Sequence, residues 1–163
     1  MKENVNRIDP REAAPPRLAL KPPVFDEEAV ARADQALQAM SGSFRQWLDQ
    51  EVGRLQSARM IAAELGWTDE GLDPVLMAAH DLKGMGATYD YPLITQIAGS
   101  LCKLIDSEEG KAAARAAPAL VCAHIDAIRA AARDGVKTDS HPVGQALLRA
   151  LEAQVGALGL PAD

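Results

Sequence analysis

The stretch PLITQIAGSLCKLID, residues 92–106, shows most clearly how this chain folds. Its large apolar residues recur at intervals of three or four, the spacing that places side chains on one face of an α-helix. They are Leu93, Ile94, Ile97, Leu101, Leu104 and Ile105. Proline is favoured at the first position of a helix, because the N–H that it lacks has no helical partner there. The stretch therefore predicts an amphipathic helix that begins at Pro92 and ends near Asp106.

The same apolar spacing recurs along most of the chain. It predicts five further helices, over residues 26–40, 43–66, 74–88, 118–133 and 142–158. Three of them begin at a proline, namely Pro74, Pro118 and Pro142, and Asp73 can supply an N-cap oxygen before the first of these. The helix at residue 43 is predicted to start there because Ser43 has a glutamine three residues later, as in a capping box.

In chain order, short connections join the second helix to the third, the third to the fourth and the fourth to the fifth. Short connections favour antiparallel neighbours. An up-and-down four-helix bundle is the simplest architecture for such helices, with the first and last helices packed against its ends or sides. We therefore expect an all-α domain over residues 25–160. Its bundle core should span about 43–134, and an extra C-terminal helix should span about 142–158.

Composition and charge exclude several functional classes. The chain has 163 residues, which suits one globular domain, and a net charge of -6 with no cluster of basic residues, which argues against binding to nucleic acid or anionic membranes. It lacks the glycine-rich loops and strand patterns of ATP and NAD sites. Residues 1–24 are rich in proline and predict an extended tail. Because there is neither a long apolar run nor the apolar core of a signal peptide, we expect a cytoplasmic protein.

The segment PVLMAAHDLKGMGATYD, residues 74–90, is unusual because two glycines interrupt a helical pattern. Each interior glycine costs about 0.8 to 1 kcal/mol relative to alanine. A helical wheel places one set of residues on the face expected to be buried, namely Leu72, Val75, Ala79, Leu82 and Gly86. Close helix packing would explain Gly86. His80 lies about 130° from the centre of that face, so we expect it to be exposed, with Lys83 and Gly84 within one turn.

An exposed imidazole beside a lysine and a glycine indicates a candidate phosphoryl acceptor site. A neutral imidazole nitrogen can act as a nucleophile and carry the group. Lys83 would offset part of the charge of a phosphorylated His80, and Gly84 would leave space for an in-line approach. The alternative is that His80 and Lys83 are ordinary solvated side chains of a helix surface.

The string HDLKG, residues 80–84, resembles the HxxKG signature of histidine-containing phosphotransfer (HPt) domains. These helical bundles relay phosphoryl groups between response-regulator receiver domains in multistep two-component signalling. The resemblance covers about 43–133. It implies that His80 is phosphorylated, at Nε2, that Lys83 supports the phosphate and that Gly84 admits the partner's aspartate.

The resemblance also implies the partners. Met77 and Ala87 lie on the same stripe as Lys83 and Gly84, and would join them in docking receiver domains, with a hybrid histidine kinase as a further candidate partner. The protein would have no cofactor of its own, since the Mg²⁺ belongs to the receiver, and it would carry the phosphoryl group without being a kinase. A non-phosphorylated helical adaptor for receiver or kinase domains is the alternative function.

Two features depart from the family pattern. Asp81 stands where a neutral hydroxyl or small residue is common, although it points about 100° further round the helix from His80. A minimal HPt module also has no counterpart of the helices before residue 43 and after residue 140. A related dimeric class carries a degenerate ATP-binding domain, but the sequence after Ile105 shows no strands for it.

The remaining reactive side chains have structural interpretations. Cys102 and Cys122 lie in apolar helical stretches without CxxC spacing, so we expect small core residues. His124 follows Leu120 by one turn on an apolar helix and should be a partly buried structural residue, and His141 should mark a helix start. No histidine, cysteine or carboxylate spacing indicates a metal site.

Overall fold

The computed structural model describes residues 26–138 and 140–160. These residues form six α-helices and no β-strand, so the prediction of an all-α fold is confirmed. The helices are α1 (Glu27–Glu64), α2 (Asp69–Gly86), α3 (Pro92–Ile105), α4 (Glu108–Ala116), α5 (Pro118–Arg133) and α6 (Pro142–Ala157). No helix within these ranges is long and apolar enough to cross a membrane. The tail predicted for residues 1–24 lies outside the described residues.

Three of the four predicted proline starts are confirmed, at Pro92, Pro118 and Pro142. The fourth is wrong, because α2 begins at Asp69 and holds Pro74 in its interior. Two acidic residues in the first turn favour the earlier start, since negative charge stabilises the positive end of a helix. Asp73 is therefore not an N-cap, and its carboxylate instead accepts a hydrogen bond of 3.1 Å from Lys111 of α4.

The predicted separation of helices at residues 26–40 and 43–66 is also wrong, because α1 is continuous from Glu27 to Glu64. Ser43 does not cap a helix. Its Oγ donates a hydrogen bond of 3.2 Å to the carbonyl of Ala39, one turn earlier. A serine hydroxyl inside a helix can donate to a backbone carbonyl one turn earlier. The spacing of Ser43 and Gln46 therefore did not indicate a helix start.

The chain divides into two compact units, Met1–Gln38 and Ala39–Asp163. In the first unit, residues 26–38 are all exposed, and Asp26 Oδ1 accepts a hydrogen bond of 3.1 Å from the backbone N–H of Glu28. This contact places Asp26 as the N-cap of α1.

The second unit has α3 at its centre, in contact with α2, α4, α5 and α6. The apolar residues that predicted α3 are all buried, and so is Cys102, as expected. Cys122 is only half-buried. At the α2–α3 contact, a Cβ added to Gly86 would lie 2.5 Å from Thr95 Oγ1, which confirms that close packing requires glycine there.

Helix α4 was not predicted. Ser107 precedes it and accepts a hydrogen bond of 3.0 Å from the backbone N–H of Gly110. The buried face of α4 consists of Gly110 and Ala114, so the helix lacks the large apolar residues that reveal a helical period.

A buried hydrogen bond connects α3 to α5. His124 is fully buried, more so than the sequence indicated, and its Nε2 lies 2.9 Å from Ser100 Oγ. Its Nδ1 lies 2.8 Å from the carbonyl of Leu120, which can only accept, so Nδ1 carries the proton and Nε2 accepts from Ser100. Burial lowers the pKa of His124, and the Leu120 contact opposes that effect. The residue is a neutral structural histidine, as its place on an apolar helix predicted.

Candidate functional site

Helix α2 presents His80 to solvent because its opposite face is held in the core. Leu72, Val75, Ala79 and Leu82 are all 0% exposed. His80 and Lys83 are exposed, which confirms the orientation predicted from the helical wheel. The packing of α2 thus directs the imidazole outward without any hydrogen bond from His80 to another described side chain.

Gly84 lies in open space one turn after His80. A Cβ added at Gly84 would meet nothing within 4 Å, whereas one at Gly86 would be in severe contact. Packing therefore explains Gly86 but not Gly84. The open volume above Gly84 is what an incoming group would need in order to reach the imidazole along the exposed face.

Two further residues of the predicted docking stripe lie on either side of His80 along the chain. Met77 is 64% exposed, a high value for a large apolar side chain. Ala87 is exposed and lies one residue beyond the end of α2, where its backbone is still helical. Met77 and Ala87 are therefore both exposed, as a docking role would require.

His80 and Lys83 line one shallow depression between α2 and α3, with a volume of ≈ 370 Å³. The other residues of this depression are Leu76, Met77, Asp81, Cys102 and Asp106. Lys83 forms no salt bridge with any described residue. Its ammonium group is therefore available to an anion bound beside the imidazole.

Cys102 contributes a thiol to the same depression, a neighbour that the sequence did not indicate. Burial raises the pKa of this thiol to about 11, and Asp106 adds to the effect while Lys83 opposes it. A thiol of such high pKa stays protonated near neutral pH, and only the thiolate is a strong nucleophile. Cys102 is therefore an unreactive part of the lining, and the imidazole of His80 is the candidate nucleophile of this depression.

Arg54 of α1 lies on the other side of α2 and is the main residue that sequence reasoning missed. It donates a hydrogen bond of 3.2 Å to Asp81 Oδ2, and its Nη1 lies 2.7 Å and 3.0 Å from the two carboxylate oxygens of Glu51. The spacing of Glu51 and Arg54 on one helix predicts their pairing. No signal in the sequence connects Arg54 to Asp81, because that contact depends on how α1 packs on α2.

A second depression, of ≈ 320 Å³, lies between α1 and α2 on the same side as Arg54. Ile61, which is 44% exposed, and Met77 contribute large apolar side chains to it. Met77 therefore belongs to both depressions, and His80 stands next to an apolar surface.

The described residues offer no group of three or more metal-ligating side chains. The depression of ≈ 510 Å³ between α1 and α5 is larger than either depression near His80, but it contains none of the predicted site residues. Its lining is dominated by Arg45, Arg129 and Arg133 together with two aspartates, and several of these charges pair with each other. We place the candidate site at His80, because an exposed imidazole, a lysine without a salt bridge to any described residue and an open approach above Gly84 meet there.

Comparisons of the chain with protein-family models, with curated proteins and with solved structures find no match.

Proposed function

We propose that this protein is a histidine phosphotransfer protein, in which His80 relays a phosphoryl group between receiver aspartates of a two-component phosphorelay. The observation that carries the proposal is the arrangement on α2. His80 and Lys83 line one depression, and the space above Gly84 is empty. The HxxKG resemblance supports the same assignment.

The proposed transfer is a displacement at phosphorus. The lone pair of His80 Nε2 attacks the phosphorus of a receiver aspartyl phosphate, the P–N bond forms, and the P–O bond breaks with its electron pair leaving on the aspartate carboxylate. The ring then carries a proton on Nδ1 and can release it to solvent. Lys83 offsets part of the added negative charge, and a second receiver aspartate reverses the step.

We propose that the second unit is an up-and-down four-helix bundle formed by residues 39–64 of α1 with α2, α3 and α5, and that α4 and α6 are additions to it. The contacts of α3 with α2 and α5 support this arrangement. Arg54 pairs with Asp81 of α2, and Arg59 of α1 pairs with Asp126 of α5 at 2.7 Å. The contacts of α1 with α2, of α2 with α3, of α3 with α5 and of α5 with α1 support a closed ring of four helices.

The partners that we propose are receiver domains and a hybrid histidine kinase, in the cytoplasm. Their docking surface would comprise Met77, Lys83, Gly84 and Ala87, extended by Ile61 on α1. The protein would act as a phosphoryl carrier, without kinase activity, nucleic-acid binding or membrane binding. Mg²⁺ would be held by the receiver.

The test is phosphorylation of the purified full chain, with phosphoramidate and, separately, with phosphorylated receiver domains. We expect a mass gain of one phosphoryl group that is stable in base and labile in acid. His80→Gln should abolish this gain with the melting temperature unchanged, because an outward side chain contributes little packing. His141→Asn is the matched control, since it alters another exposed histidine and should still accept the group. Labelling of His80→Gln would contradict the assignment.

The second candidate function is a non-phosphorylated adaptor, which the exposed apolar surface of Ile61 and Met77 favours. An adaptor would bind unphosphorylated receivers or kinases and gain no phosphoryl group from either donor. Met77→Glu should then abolish binding while His80→Gln leaves it intact. A base-stable label on His80 would exclude this function.

A further inference from the structure

A buried carboxylate anchors the guanidinium of Arg54 on α1. Arg54 Nη1 lies 2.7 Å and 3.0 Å from the two carboxylate oxygens of Glu51, which stands one turn earlier on the same helix. Glu51 is buried, and a glutamate is almost never buried without a partner. Charge-assisted contacts to both oxygens of one buried carboxylate restrict the positions that the guanidinium can take. Arg54 is therefore held in place, although about half of its side chain is exposed.

The anchored guanidinium also bonds to the residue that follows His80 in the chain. Arg54 Nη1 donates a hydrogen bond of 3.2 Å to Asp81 Oδ2, and Asp81 has no other hydrogen-bond partner among the described side chains. About half of the Asp81 side chain is exposed, so packing alone does not fix its carboxylate. Arg54 thus holds the Asp81 carboxylate towards α1.

Asp81 belongs to the lining of the depression that contains His80. The other charged residues of that lining are Lys83 and Asp106, whereas Arg54 does not line it. A carboxylate that is free to turn beside the imidazole would repel an anionic group approaching it, because like charges repel at short range. The direction of the Asp81 carboxylate therefore matters for any anionic reactant of His80.

We propose that Arg54 is a positioning residue for Asp81: it holds this carboxylate on the α1 side of α2 and keeps it from turning over the imidazole of His80. The chain thereby carries an aspartate directly after the candidate nucleophile without placing its full charge in the path of an anionic donor. The consequence for phosphoryl transfer rests on the function proposed above, whereas the effect on other anionic reactants of His80 does not.

Two alkylating reagents that differ in charge test the proposal without any phosphoryl group. Iodoacetate is an anion and iodoacetamide is neutral, and an imidazole nitrogen displaces iodide from the same methylene group in both. The rates of alkylation at His80 are measured on the full chain from peptide masses, at about pH 8, where imidazole is mostly neutral. In Arg54→Met the rate with iodoacetate should fall by about 2- to 4-fold relative to the rate with iodoacetamide, the effect of one nearby unit charge in water. This fall should disappear at about 1 M salt, where such charges are screened.

A double-mutant cycle separates the direction of Asp81 from the charge of Arg54 itself. In the Asp81→Asn background, Arg54→Met should change the ratio of the two alkylation rates by less than about 1.5-fold. An equal fall with and without the Asp81 carboxylate would overturn the proposal, because Arg54 would then act by its own charge. An unchanged ratio in Arg54→Met alone would overturn it as well.

Arg59→Met is the matched control, because it removes another arginine of α1, one that pairs with Asp126 of α5 at 2.7 Å. The ratio of alkylation rates at His80 should keep its wild-type value in this variant. The ratio at His141, which is also exposed, should stay constant in every variant. A fall at His80 in Arg59→Met as large as that in Arg54→Met would show that the pairing with Asp81 is not responsible.

A second variant covers the loss of stability expected from Arg54→Met, which leaves Glu51 buried without its partner. Glu51→Gln combined with Arg54→Met removes that unpaired charge. The ratio of alkylation rates at His80 should fall in this variant as it does in Arg54→Met. A wild-type ratio in the folded double variant would refute the positioning role.

The consequence for phosphoryl transfer is measured with phosphoramidate on the same variants. Arg54→Met should accept the phosphoryl group about 2- to 10-fold more slowly than the wild-type chain, and the additional change Asp81→Asn should restore the rate. Acceptance at the wild-type rate by Arg54→Met would overturn this consequence. If the wild-type chain accepts no phosphoryl group, the proposed function fails, while the alkylation rates still decide the role of Arg54.

Discussion

Replacement of Gly84 by glutamine should separate stability from phosphoryl transfer. A Cβ at Gly84 meets nothing within 4 Å, so the larger side chain has no steric cost in the free protein. Helix propensity then favours glutamine by up to ~1 kcal/mol, which corresponds to a rise of about 2–4 °C in melting temperature. In the complex, the same side chain stands one turn from His80 in the path of the incoming aspartyl phosphate. A displacement of ~1 Å in a reacting geometry costs about 100-fold in rate.

The assay is a thermal melt and a receiver-to-protein transfer rate on the same Gly84→Gln sample. Gly42→Gln is the matched control, because Gly42 is also inside a helix and an added Cβ there also meets nothing within 4 Å. It should gain similar stability and transfer at the wild-type rate. Wild-type transfer in a well-folded Gly84→Gln protein would refute the reasoning, since the approach to the imidazole would then not cross Gly84.

Three further predictions concern single side chains. Lys83→Ala should slow transfer or shorten the phosphohistidine lifetime by about 5- to 30-fold, equivalent to ~1–2 kcal/mol, and wild-type kinetics would remove the lysine from the site. Because the pKa of His124 is lowered on folding, the folded state binds fewer protons, and stability should fall as pH decreases below about 6.5, by at most ~1.4 kcal/mol per pH unit. Urea unfolding between neutral and mildly acidic pH checks this, and an equal slope in His124→Gln would contradict it. His141 Nδ1 accepts a hydrogen bond of 3.2 Å from the backbone N–H of Gly144, so His141→Ala should cost ~1 kcal/mol in a thermal melt while His141→Asn retains the cap. Equal stability of the two variants would argue against a capping role.

Much of the candidate site was predictable because it lies on one helix. The spacing of the apolar residues in α2 determines which face of the helix is buried. His80, Lys83 and Gly84 lie outside that face, so the sequence predicts that they are exposed. The same local reasoning placed α3, α5 and α6 to within one residue at each end, since proline at the first helical position and the apolar period are both signals within a few residues.

Errors arose where a local signal has more than one outcome. A proline begins the helix at Pro92 but lies inside α2 at Pro74, where two acidic residues in the first turn favour a helix start before the proline. The hydroxyl of Ser43 can cap a helix or bond back to Ala39, and the spacing of residues is the same in both cases.

Contacts between helices were decided by the tertiary structure alone. Arg54 donates a hydrogen bond to Asp81, and Ser100 donates one to His124. Each contact joins two helices whose relative rotation and register the sequence does not state. The sequence by itself thus determined the helices, the inward face of α2 and the exposure of His80. The tertiary structure decided the surroundings of His80, because side-chain packing across helices, and not the period along one of them, sets which residues share a surface.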